Sequence, residues 1–197
     1  MEMTSGGNQG SVVWRVLTLL AAATAAVLWL MALGGSVERA HAACPNAEAA
    51  IGEATAKELR KALVCVINNK RDQQERKKVD RSGKLQKAAK RHNETMLAED
   101  CWKHKCPDEK GLGKRIRRTG YLDGARKWRF AENFGCALTP KGMMKRWLEE
   151  DFQRRNLLNP EFEDIGAAAA KELVSNPPSN CDGDRVTYTV VLAMRKG

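Results

Sequence analysis

Three short stretches hold the residues best able to do chemistry: His104, the triplet Ala131-Glu132-Asn133, and Trp147 to Pro160, which contains Glu150 and Gln153. An imidazole and a carboxylate supply acid–base or metal-ligand chemistry when folding joins them. Cys101-Trp102-Lys103-His104-Lys105-Cys106 also puts two thiols and an imidazole within one short run. A thiolate zinc site usually brings a second ligand pair at regular spacing, and none follows, so a disulfide is the expectation for this run. No side chain stands out as a nucleophile, because Ser82, Ser175 and Ser179 sit in or beside a cap or loop without an evident partner.

Position depends on the elements. Leu59, Ala62, Leu63, Val66 and Ile67 repeat at helical spacing, which predicts a helix from about Ala56 to Asn69 capped by Thr55. A basic loop, Arg71 to Lys78, should follow. Asp80 or Ser82 then caps a second helix, with Leu85, Ala88, Ala89, His92 and Met96 on one face, which makes His92 a core or cavity-wall residue. Leu112 to Arg118 reads as a short basic helix closed by Gly120 and Tyr121, and Lys141 to Phe152 as another, entered through Pro140. Strands are expected at Arg129 to Phe134, Asp164 to Ala169 and Arg185 to Met194, the last rich in β-branched residues. Asn176 to Asp184 is a loop by composition. Helices around a small sheet make a single α+β or three-layer α/β/α domain.

No charge occurs from Val16 to Val37; Arg15 precedes this apolar run and Ala40-His41-Ala42, a small-x-small cleavage site, follows. Residues 1–42 therefore read as an export signal or, given the length of the run, as an N-terminal membrane anchor, with the domain in 43–197. A lipid anchor on Cys44 is disfavoured by His41, where a lipoprotein signal wants an apolar residue. Both readings place the domain outside the cytoplasm, secreted or held at the outer face of the cytoplasmic membrane. All six cysteines lie after the apolar run, and in an oxidising compartment an even number means disulfides. Spacing leaves the pairing open, although Cys101 with Cys106 is the easiest loop to close, Cys44 with Cys65 could tie the N-terminal segment to a helix, and Cys136 with Cys181 would then remain.

The chain carries +10, none of it net from residues 1–42. Such a surface attracts anionic wall polymers or lipid headgroups, with strong salt dependence. No nucleic-acid-binding motif is present, and no nucleic-acid partner is expected.

The order of the stretches resembles that of the CAP domains, the secreted group of cysteine-rich secretory proteins, antigen 5 and plant pathogenesis-related proteins of class 1, in its bacterial SCP-like form. Leu63 to Arg71 (LVCVINNKR) is similar to the family's opening helix, and Leu85 to Met96 (LQKAAKRHNETM) to its second. Arg115 to Tyr121 (RIRRTGY) resembles its Arg-x-x-x-x-Gly-Tyr helix end, and Ala131-Glu132-Asn133-Phe134 its Gly-Glu-Asn-Ile strand. Trp147 with Arg154 and Asn156 to Pro160 resembles its Trp to Asn-Ile-Leu-Asn-Pro helix, and Asp164-Ile165-Gly166 completes the likeness, which covers residues 58–196.

The resemblance implies an α/β/α sandwich with a solvent-facing cavity lined by His and Glu, a divalent metal site in some members. Carried over by position, His104 and Glu132 are its cavity and metal residues. Gln153 replaces the second His of many bacterial members, Glu150 gives the Trp-x-x-Glu of eukaryotic members, and the strand Val186 to Val191 contains no His. About three ligands are needed for a firm zinc site and a Gln amide replaces imidazole poorly, so any zinc should be weakly held; without metal, His104 and Glu132 make a hydrogen bond that orders the wall. The expectation is a non-enzymatic extracellular protein that binds an anionic envelope component or lipid, with a metal-assisted, peptidase-like hydrolase using Glu132 and His104 as the alternative.

Overall fold

The computed structural model describes residues 43–181 and 185–197. The signal or anchor expected in residues 1–42 lies outside them, as do residues 182–184 of the expected loop. Among the described residues, no helix is long and apolar enough to cross a membrane.

The elements run α1 (Ala56–Gln73), β1 (Asp80–Arg81), α2 (Gly83–Ala98), α3 (Leu112–Arg118), β2 (Lys127–Ala137), α4 (Pro140–Glu149), α5 (Asp151–Leu158), β3 (Asp164–Ala170), a 3-10 turn (Ser179–Cys181) and β4 (Val186–Lys196). One sheet has the order β1-β3-β4-β2, with β1 parallel to β3 and the other pairs antiparallel. Alternation along β4 divides the core. Val186, Tyr188, Val190 and Leu192 pack with residues of α1, α4 and α5, whereas Val191 and Ala193 pack with residues of α2 and α3. The result is the three-layer α/β/α sandwich, with β4 buried on both faces.

Local chemistry explains the boundaries. Thr55 and Glu58 form a reciprocal capping box at the start of α1, and Ser82, rather than Asp80, caps α2 by accepting the Leu85 N–H. Gly166 lets α2 lie directly on β3, since a Cβ there would come within 2.1 Å of the Leu85 backbone.

Two expectations are corrected. The helix α1 continues to Gln73, and Arg71 belongs to the core instead of a solvated basic loop. Its guanidinium donates to the carbonyls of Lys77 (2.8 Å), Leu157 (2.6 Å), Asn159 (3.1 Å) and Phe162 (3.3 Å), which satisfies a buried cation with backbone oxygens. The single helix expected over Lys141 to Phe152 is two, because Glu150 is extended (φ −95°, ψ 116°). Arg154 reaches back from α5 to the Leu148 carbonyl (2.7 Å), satisfying an acceptor at the end of α4.

Three disulfides form, Cys44–Cys65, Cys101–Cys106 and Cys136–Cys181. They tie the N-terminal segment to α1, close the loop that carries His104, and fasten β2 to the turn before β4.

Candidate functional site

β2 sits at one edge of the sheet, and its alternation sends successive side chains to opposite layers. Glu132 faces the α2 and α3 layer. Asn133 faces α5, where it donates to the Gln153 carbonyl (2.9 Å) and accepts from the Asn156 amide (2.8 Å). The sheet thus fixes Glu132 while Asn133 fixes the helix beginning beside it.

Four charged or titratable side chains gather around Glu132. Arg115 of α3 donates through both terminal nitrogens to the two carboxylate oxygens, each at 2.9 Å, and also to the His104 carbonyl (3.0 Å). Nδ1 of His104 lies 3.0 Å from Glu132 Oε1, so the imidazole donates there, a carboxylate being an acceptor only. On the far side, Nδ1 of His92 meets Glu109 Oε2 at 2.8 Å, and Glu109 Oε1 lies 3.3 Å from Arg115 Nε without hydrogen-bond geometry. His92 Nε2 faces Glu132 Oε1 at 3.6 Å and has no hydrogen-bond partner.

Exposure separates the members. The Glu132 side chain is 1% exposed and His92 fully buried, whereas His104 is 57% exposed. Burial pushes the Glu132 carboxyl upward, but the bonds from His104 and Arg115 outweigh it and hold the acid below its ordinary range. For His92, burial outweighs the nearby carboxylates and lowers its pKa, favouring the neutral ring.

Phe134, one repeat along the strand from Glu132, bridges this cluster to open space. The rings of His104 (4.7 Å), Trp102 (5.3 Å) and His92 (5.8 Å) all meet it edge-on. Beyond Phe134 and Trp102 a pocket of about 370 Å³ wraps the β2 edge, closed on the other side by Met143, Trp147, Glu150 and Gln153. Gly135 allows this floor, since a Cβ there would stand 2.8 Å from Met143 and 3.2 Å from the Trp147 ring.

The four residues singled out from sequence therefore form two groups. His104 and Glu132 touch each other, while Glu150 and Gln153 line the pocket, with Phe134 between the groups. Neither Glu132 nor His104 is among the residues that line this pocket; a guanidinium and an imidazole cover the Glu132 oxygens.

A divalent ion does not fit this donor set. Both oxygens of Glu132 already face a permanent cation, which would repel a metal, and no group of three or more His, Cys, Asp or Glu residues able to hold one occurs among the described residues. Arg115 and Glu109, which organise the cluster, were not singled out for chemistry from the sequence. Arg115 is one of three arginines in Arg115-Ile116-Arg117-Arg118, and helical phase marks it only through its neighbour Ile116, also buried.

Comparison with known proteins agrees with this architecture. Residues 64–191 match the model of the CAP, or cysteine-rich secretory protein, family. An outer surface protein of Borrelia burgdorferi superposes with a TM-score of 0.58 at 18% identity, covering 73% of this chain and 97% of that one. An extracellular protein of Bacillus anthracis containing an SCP domain gives 0.55 at 19% identity, over 74% of this chain and 45% of that one. A cysteine-rich secretory protein of Staphylococcus aureus gives 0.50 at 15% identity, over 71% and 39%. At these identities the likeness speaks for the fold alone, and the chain spans less than half the length of the last two. No curated protein sequence matches. The ordered motifs, the sandwich and the match over residues 64–191 together place the chain in the CAP family of cysteine-rich secretory proteins.

Proposed function

We propose that the domain acts outside the cytoplasm as a non-enzymatic binding protein at the cell envelope, and that it takes its ligand in the pocket beside Phe134, Glu150 and Gln153. One observation carries this reading: the carboxylate that a hydrolase of this design would use as base or metal ligand is gripped at both oxygens by Arg115. A buried carboxylate held as an anion by a fixed guanidinium is a weak base and is closed to a metal. The pocket is preformed, and its ring-lined wall with a few polar groups suits an organic ligand. The net charge of +10 favours an anionic envelope component or an anionic lipid. Extracellular and outer surface descriptions of the structural neighbours support the location, whether secreted or tethered through residues 1–42.

Zinc titration calorimetry, peptide hydrolysis and cosedimentation with cell walls or anionic liposomes, all on the full chain, test the proposal. We expect no tight zinc binding, no cleavage, and cosedimentation that weakens as salt rises. Cleavage abolished by Glu132→Gln would establish the hydrolase instead. Envelope binding unaffected by filling the pocket with Gly135→Met would remove the pocket from the reading.

A further inference from the structure

A second concavity, of about 200 Å³, lies at the opposite edge of the sheet, where β1 runs between α1 and α2. It shares no residue with the pocket at β2. Arg60 and Lys61 project from α1, Arg81 from β1, and Ser82 and Gln86 complete the polar wall. The floor is apolar or bare backbone, from Val64 and from Ile165 to Ala167. Among the described residues, no Asp or Glu lines it.

Elsewhere on the surface Lys and Arg find carboxylates, as in Lys90 with Glu94, Arg129 with Glu161, Lys141 with Glu48 and Arg154 with Asp151. Among the described residues Arg60, Lys61 and Arg81 form no ion pair, although the Glu58 carboxylate feels the Lys61 charge, so three cations line one hollow with no carboxylate in its wall. Like charges held together around a concave, partly apolar site repel one another and focus a positive potential into it. An anion inside relieves that repulsion.

The donors indicate its type. A carboxylate is matched by one guanidinium fork, whereas two guanidiniums, an ammonium, a hydroxyl and an amide lining one hollow suit a group with several charged oxygens. We infer that this hollow at the β1 edge binds a phosphoryl group, carried by a free phosphomonoester or by a phosphodiester of an envelope lipid. The inference does not depend on the proposed ligand pocket, since no residue is common to both.

The test is an amide-resolved NMR titration of the full chain in neutral detergent, with inorganic phosphate at constant ionic strength and acetate as control. Expected are saturable shifts at Gly83, Gly166 and Ala167 with phosphate and none that saturate with acetate. The double variant Arg60→Gln, Arg81→Gln should weaken phosphate at least tenfold with its unfolding midpoint unchanged, while Arg76→Gln with Arg155→Gln, which removes the same charge elsewhere, should leave binding intact. Glycerol 1-phosphate and dihexanoyl phosphatidylglycerol then distinguish the two sources, the tighter ligand at these amides identifying the natural one. Phosphate shifts that follow acetate, unaltered binding in the first double variant, or equal loss in both double variants would overturn the inference.

Discussion

Arg115 and Glu132 meet through two parallel hydrogen bonds of 2.9 Å, from α3 to the edge strand β2, with both side chains almost wholly buried. This geometry is strong only while both partners are present. Replacing Arg115 with Met leaves a buried carboxylate without its cation, and breaking such a pair costs about 3–5 kcal/mol. Denaturant unfolding of Arg115→Met should show that loss. Glu132→Gln leaves Arg115 beside Glu109 and should cost less.

Acid should loosen the same cluster in two stages. His92 has a folded pKa below its ordinary 6.5, because burial disfavours the charged ring, so the unfolded chain takes up a proton that the folded chain refuses. Its contribution is complete above pH 6.5 and declines as the pH falls below that value. Glu132 has a folded pKa below 4.5, so its contribution is present above 4.5 and is lost as the pH falls through its folded value. Melting temperature against pH should therefore decline from near neutrality downward. The His92→Gln variant should be flatter between pH 7 and 5 and then fall with the parent below 4.5.

The disulfides should rank by loop length. Cys136–Cys181 spans 45 residues and Cys101–Cys106 only 5. Chain entropy assigns removal of the first about 4 kcal/mol and of the second about 2 kcal/mol. Paired Cys→Ser variants compared by denaturant unfolding give the order. The short loop carries Trp102 and His104, so its loss should weaken ligand binding at the β2-edge pocket beyond its modest effect on stability.

Gly166→Ala places a methyl group against the backbone at Leu85, which cannot swing aside as a flexible side chain can. Overpacking costs about 1–3 kcal/mol, and occasionally more. This site should lie at or above the top of that range. An unfolding midpoint equal to the parent's would show that α2 can lift from β3 freely.

Much of this was legible in the sequence because periodicity reports burial. The apolar face of α2 and the β-branched run of β4 led directly to a helix and a strand. The break at Glu150 was not legible: no Gly or Pro marks it, and it depends on Arg154 reaching the Leu148 carbonyl, a contact set by the packed helices. Arg71 read as the start of a solvated basic run because the carbonyls that receive it lie 86 or more residues onward, apart from Lys77. At the candidate site, His104 and Glu132 stood out by type and order, yet the identity of their cationic neighbour was hidden among adjacent arginines. Glu109 sits in a polar stretch, Pro107-Asp108-Glu109-Lys110, which has no periodicity to betray a buried acid.

Among the described residues, the strand order β1-β3-β4-β2 makes β4 the sole bridge between the two halves of the sheet. Until residues 186–196 have been delivered, β2 has no neighbour to bond with and the apolar faces of all three layers stay incomplete. Folding of this domain therefore waits until residues 186–196 have been made and, if it is exported, threaded through the membrane, which keeps the chain loose enough to travel and commits it to its shape on arrival.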